Sequence, residues 1–253
     1  MRHPHPTFQD HFAPVAGAYA DYRPTYPAGL FEWLANLVPG HRLAWDCACG
    51  SGQASVDLAR HFDQVWATDA SAAQLRDARP DPRVAYHEAP AEASGLADAT
   101  VDLVTVAQAL HWFDRPRFYA EARRVLKPGG VLAVWTYGVQ RLDTPAIDAL
   151  VQHFYRETVG PYWPPERAWV ESGYQQLEFP FAEWPAPAFA MTADWSLSQL
   201  LGYFASWSAT GRYRQATGED PVAGLAERLT PVWGNPAHPR TVTWPLAVRV
   251  GRA

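Results

Sequence analysis

The chain has 253 residues, 48% of them hydrophobic and 19% charged, with a net charge of −5. That apolar share excludes a wholly disordered chain and supports one sizeable core with an appendage. No apolar run reaches the roughly 18 residues of a membrane span, and Met1-Arg2-His3-Pro4-His5-Pro6 has no apolar block behind it, so a cytoplasmic protein with no membrane partner is expected. Lys127 is the one lysine among 21 basic residues, which argues against a nucleic-acid partner.

The first forty residues read as helical and aromatic, with Tyr19, Tyr22, Tyr26, Phe31 and Trp33 interrupted by Pro24 and Pro27 and closed by Pro39-Gly40. From residue 41 to 137 the pattern alternates. Strands are expected at Leu43–Cys47, Val65–Thr68, Val84–His87, Val101–Val106 and Val131–Thr136, and helices at Gln53–His61, Ala72–Ala78 and Pro116–Leu126. Such alternation predicts an α/β fold with a doubly wound, mostly parallel sheet, and the nearly apolar run 102–106 predicts a central strand. Ser71 with Gln74 predicts a helix start, and Lys127-Pro128-Gly129-Gly130 a type II turn. Residues 138–239 read as a helix-rich cap broken by proline clusters, with helices at Thr144–Thr158, Ser196–Ser208 and Asp220–Leu229. Arg240–Val250 alternates like a closing strand, with Pro245 at an edge or bulge. One domain spanning 1–253 is expected, divided into 1–40, 41–137, 138–239 and 240–253.

The two cysteines, Cys47 and Cys49, are too close for an unstrained bridge and make half a zinc site at most, so neither a disulfide framework nor a metal is expected. The chemistry concentrates in Asp46-Cys47-Ala48-Cys49-Gly50-Ser51-Gly52-Gln53, where a strand ends in an acid and a glycine loop opens a helix. Glycine lets backbone approach a ligand closely, and a helix start presents free N–H groups. Seventeen residues after Gly52 the second strand ends in Asp69, placed to accept hydrogen bonds from both hydroxyls of a ribose or to cap the next helix. Two cofactors suit this arrangement. Gly50-x-Gly52-x-x-Ser55 approximates the dinucleotide fingerprint of NAD, and S-adenosylmethionine fits the same loop and acid.

D-x-x-C-G-S-G at 46–52, V-x-A-T-D-x-S at 65–71 and R-V-L-K-P-G-G at 124–130 together resemble class I S-adenosylmethionine-dependent methyltransferases. The run 107–113, Ala-Gln-Ala-Leu-His-Trp-Phe, with Tyr22-Arg23-Pro24-x-Tyr26-Pro27, resembles the trans-aconitate-methyltransferase-like subgroup. The resemblance implies a Rossmann-like sheet of seven strands, S-adenosylmethionine as cofactor and S-adenosylhomocysteine as product. It implies cofactor contacts from Asp46, Ala48, Gly50, Gly52, Asp69, Ala70, Ala91, Glu92, Ala107 and Gln108. Asp46 either anchors the loop or receives the cofactor's ammonium, to which Ala107 offers a carbonyl. Two positions depart from the family. Ala48 replaces its first loop glycine, so a negative φ or less room for ligand is expected there, and Pro90 stands where an acid often meets adenine, leaving Glu92 and the Ala91 N–H.

The expected reaction is methyl transfer to a small-molecule acceptor, on an oxygen of an organic acid or similar metabolite. His111 is the candidate general base for an acceptor that arrives protonated; packing over the cofactor is its plainer role. Substrate candidates are Tyr19, Tyr22, Arg23, Trp112, Trp163, Trp207 and Arg212, chosen as flat walls, cation–π partners or carboxylate partners. A nicotinamide-dependent oxidoreductase is the rival enzyme, lacking a third fingerprint glycine and a Tyr-x-x-x-Lys pair. A non-catalytic cofactor-binding sensor or partner subunit is the rival of another class.

Overall fold

The computed structural model describes residues 24–252, which cluster into two compact units. Of the described residues, one comprises Phe31–Ala133 with 251–252, and the other 24–30 with Val134–Val250. The predicted segments at Tyr19, Tyr22 and Arg23 lie outside the described residues.

In the first unit, helix α1 (Ala28–Asn36) leads into strand β1 (Leu43–Cys47), helix α2 (Gln53–Leu58), β2 (Gln64–Asp69), α3 (Ala72–Arg76), β3 (Val84–Glu88), β4 (Val101–Ala107), α4 (Arg115–Val125) and β5 (Leu126–Tyr137). The strands lie in the order β3-β2-β1-β4-β5, and the β1–β2, β1–β4 and β2–β3 pairs are parallel. The order reverses between β1 and β4, and in an open α/β sheet ligands collect at the carboxyl ends of the strands beside that point. This is the Rossmann-like arrangement expected from the alternation.

β4 is central because it is apolar on both faces. Val101, Leu103, Val104 and Val106 are fully buried, each worth roughly 1.5–3 kcal/mol. Its one acid, Asp102, is compensated. The carboxylate accepts the N–H groups of Arg42 and Leu43 at 3.1 and 3.0 Å and the Lys127 Nζ at 2.8 Å. The single lysine therefore staples the amino ends of β1, β4 and β5, opposite the carboxyl ends. Gly129 takes φ +82°, the positive value that the third position of a type II turn requires. Asp114 caps α4 by accepting the Arg117 N–H, and Glu121 on that helix accepts from both the N–H and hydroxyl of Ser94 and from Arg124. Burial pushes the Glu121 carboxyl up, but those donors outweigh it and hold it down at about 2.

The second unit carries β6 (Arg141–Leu142), α5 (Pro145–His153), α6 (Arg167–Glu171), β7 (Ala182–Trp184), β8 (Phe189–Trp195), α7 (Leu197–Ala205), α8 (Ser208–Thr217), α9 (Pro221–Trp233) and β9 (Arg240–Arg252). β9 pairs with β6, β7 and β8. Four expectations are corrected here. The helix expected over Thr144–Thr158 ends at His153 and gives way to a π-helical turn over Phe154–Thr158. The single helix expected over Ser196–Ser208 is two, because the Ser206 and Thr210 hydroxyls donate to the carbonyls of Tyr203 and Phe204 and end the first. β7 and β8 occupy a stretch of the helix-rich cap in which no strand is expected. Pro245 is neither at an edge nor a bulge: it faces Ala190 in an uninterrupted β8–β9 register.

The tryptophans of this unit are mainly its core. Trp195, Trp207, Trp233 and Trp244 are buried among Ile147, Phe154, Leu200, Tyr203 and Phe204. The Trp244 Nε1 finds the Tyr203 hydroxyl at 3.3 Å, which keeps its one polar atom satisfied.

Candidate active site

The loop joining β1 to α2 has three residues at positive φ: Ala48 at +55°, Gly50 at +56° and Gly52 at +77°. Ala48 thus keeps the left-handed geometry of the glycine it replaces, and the expected negative φ is corrected. An L-residue there costs about 1–2 kcal/mol, so the loop's shape is imposed by its surroundings. Those surroundings are β2. The Cys49 N–H donates to the Thr68 carbonyl at 2.9 Å, and the Gly50 N–H to Asp69 Oδ2 at 2.8 Å. Asp69 Oδ1 accepts the Ser71 N–H at 2.8 Å. Asp69 is not the cap of α3: Ser71 is, its hydroxyl accepting the Gln74 N–H. Each carboxylate oxygen has two lone-pair sites, so both backbone bonds are compatible with a diol on the same carboxylate.

Asp46 is fully buried beneath this loop. It accepts the Ser55 hydroxyl at 2.6 Å and the Thr105 hydroxyl at 2.9 Å, tying β1 to α2 and to β4. Of the two roles open to it, these bonds supply the anchoring one. Burial pushes its carboxyl up to about 6, with the two hydroxyls pulling the other way. Burial likewise pushes up the thiols of Cys47 and Cys49, both free.

Tyr86, on β3, is the residue that sequence reasoning missed. Its ring crosses Gly52, and its hydroxyl donates to the Arg79 carbonyl at 2.7 Å. Burial pushes this phenol up to about 12. No motif announces it; the only signal is an aromatic residue on the strand beside β2.

At the end of β4, Ala107 and Gln108 are half-buried, and Gln108 takes φ +58°. A 3₁₀ turn at Leu110–Trp112 follows, with the His111 ring 4.6 Å from Trp112, which is 38% exposed. Ala91 is buried, and Glu92 accepts the Asp114 N–H at 3.0 Å, so this carboxylate already holds its loop to the start of α4. Pro90 is exposed. In the first unit Asp69 is thus hydrogen-bonded to the loop that carries Ala48, Gly50 and Gly52, Ala70 follows it in the chain, Asp46 lies near the end of the neighbouring strand β1, and Ala107 ends β4 with Gln108 just beyond it. Trp163, Trp207 and Arg212 belong to the second unit. Trp207 is core, Arg212 is exposed and donates to the Tyr162 carbonyl, and Trp163 is half-buried against Tyr155. Among the described residues no three metal-ligating side chains come together, and no helix is long and apolar enough to cross a membrane.

Residues 45–134 match the family described as a methyltransferase domain. The chain is 36% identical to a methyltransferase of Dictyostelium discoideum over 231 residues, 89% of this chain and 88% of the other. A solved structure described as a type II methyltransferase from Anaeromyxobacter dehalogenans is 49% identical, covers 91% of this chain and 98% of its own, and superposes with a TM-score of 0.88. Over 112 residues, 43% of this chain and 41% of the relative, there is 38% identity to a malonyl-[acyl-carrier protein] O-methyltransferase of Dechloromonas aromatica.

Proposed function

Because the chain belongs to the class I S-adenosylmethionine-dependent methyltransferases, we propose that it methylates an oxygen of a small organic acid. The observation that carries the cofactor's place is the Asp69 carboxylate, which binds the β1 loop through Gly50 at the strand ends beside the reversal of the sheet. The residues there fit an adenosyl group. Asp69 would take the ribose hydroxyls, each charged hydrogen bond worth about 1.5–3 kcal/mol. The loop 48–52, held at positive φ, would lie against the amino-acid end; Ala107 would offer its carbonyl to the ammonium, and Ala91 and Glu92 would border the base. When bound, S-adenosylmethionine supplies a methyl group on a sulfonium, open to displacement by an oxygen nucleophile.

What the chain's own residues then contribute is chiefly position, which supplies about 7–11 kcal/mol in reactions of this order. An ionised carboxylate needs no base. His111, its ring on Trp112, is needed as one only if the acceptor is an alcohol or phenol. The acid reading is supported by the relative whose name gives it an O-methyltransferase activity and by the scarcity of lysine, which disfavours a nucleic-acid substrate.

The test is calorimetry with S-adenosylhomocysteine on the native chain and on Asp69→Ala, alongside a panel of organic acids scored for release of S-adenosylhomocysteine. Micromolar binding lost at least tenfold in Asp69→Ala, with turnover of one acid, is expected. Undiminished binding in the variant would remove Asp69 from the site. Binding with no turnover of any acid would remove the acid.

A further inference from the structure

The second unit holds a cavity of about 330 Å³ lined by Tyr155, Arg156, Trp163, Pro164, Arg167 and Glu171. That volume lies at the small end of ligand sites. Tyr155 and Arg156 sit on the π-helical turn Phe154–Thr158, a rare wide turn that recurs at functional sites.

The Arg167 guanidinium is fixed in place. It lies 4.6 Å from the Trp163 ring centroid and 5.4 Å from that of Tyr155, and its Nε donates to the Tyr155 hydroxyl at 2.7 Å. That hydroxyl in turn donates to Glu171 Oε1 at 2.5 Å. The Glu171 carboxylate is thereby engaged by a phenol, and among the described residues Arg167 makes no ion pair. Its terminal nitrogens meet no protein acceptor there, and the exposed Arg156 has no acidic partner either. Glu171 keeps its charge when a phenol donates to it, so the lining sets two guanidinium groups against one carboxylate, and the excess positive charge favours an anion.

We propose that this cavity binds the carboxylate of a small planar organic acid, with Arg167 and Arg156 as cationic donors and the Trp163 and Tyr155 rings as flat walls. Arginine's planar fork matches a carboxylate, and aromatic faces favour a flat ligand over a tetrahedral phosphate. The inference goes beyond the methyl-transfer reading, for it holds whether the acid is the acceptor or a separate effector.

Benzoate and its uncharged isostere benzamide are the probes, titrated into the full chain without cofactor and followed by calorimetry and tryptophan fluorescence. Benzoate is expected to bind at least about tenfold more tightly than benzamide. Arg167→Gln and Arg156→Gln are expected to weaken it by roughly fivefold or more, and Trp163→Phe by less. Arg156 is exposed and unpaired, so its replacement leaves the fold intact and keeps the test decisive if Arg167→Gln unfolds. Equal binding of the two probes, affinity unchanged in Arg156→Gln, or no binding of benzoate by roughly 50 mM overturns the inference. A raised KM for an accepted acid in Arg167→Gln assigns the carboxylate to the acceptor; an unchanged KM with benzoate binding lost assigns it to an effector, and both support the cavity. Affinity for S-adenosylhomocysteine is read on the same variants and is expected unchanged, so failure of this cavity and failure of the proposed reaction are told apart.

Discussion

Tyr86 occupies the space that a side chain at position 52 would need: a Cβ built on Gly52 falls 2.1 Å from the phenolic oxygen and 2.8 Å from Cζ. The aromatic ring of β3 thereby shapes the loop after β1, and two separate constraints, the ring and a φ of +77°, make glycine obligatory there.

Gly52→Ala is expected to destabilise the protein by roughly 2–4 kcal/mol and to weaken S-adenosylhomocysteine binding. Adding Tyr86→Ala should relieve the clash and leave the backbone strain, so the double variant should recover only part of the loss. Urea denaturation of the single and double variants checks this; a Gly52→Ala protein as stable as the native one would refute it.

Ala48 carries strain of the opposite kind, since it holds a glycine's conformation without being one. Ala48→Gly should stabilise the fold by about 0.5–1 kcal/mol, the relief of the left-handed penalty less the added freedom of the unfolded chain. A rise in Tm of about 2 °C by calorimetry is the expected reading.

The shift of Asp46 fixes a pH dependence. Its folded pKa, about 6, stands above the unfolded value of 3.8, so between those limits the unfolded chain loses a proton that the folded chain keeps. Stability therefore falls as pH rises across that window, by up to about 3 kcal/mol by pH 7. Asp46→Asn should flatten this slope in urea midpoints taken from pH 4 to 7. Glu121 works in the opposite sense and lower: held at about 2, its contribution is present above 4.5 and lost as pH falls toward 2, outside the Asp46 window.

The alternating half of the chain was legible because its signals are local. β1 runs over the residues that the apolar run 43–47 marks, and Ser71 caps the helix it was read to cap. β5 begins five residues before its apolar run, since pairing continues through the Lys127–Gly130 turn that the residues alone suggest is a boundary. β8 is hidden in the sequence although Met191 and Trp195 alternate inward, because the prolines around 180–187 mask the two short strands, β7 and β8, that each pair with β9. In the site, Asp69 and the glycine loop announce themselves by spacing. Tyr86 does not, since its role depends on which strand lies beside β2. Nor does the pairing of Tyr155 with Arg167, which arises where a π-helical turn and a short helix meet.

The ion pair between Lys127 and Asp102 makes this protein unusually vulnerable to amine chemistry. Acylating reagents and amine-coupling supports ordinarily find many interchangeable side-chain handles on a surface; here there is one ε-amino group. Capping it would leave a carboxylate only 3% exposed without its cation, a loss of roughly 3–5 kcal/mol where a buried pair is broken from one side. Immobilisation or labelling is better directed at the arginine-rich surface or at an added terminal tag than at the foot of the sheet.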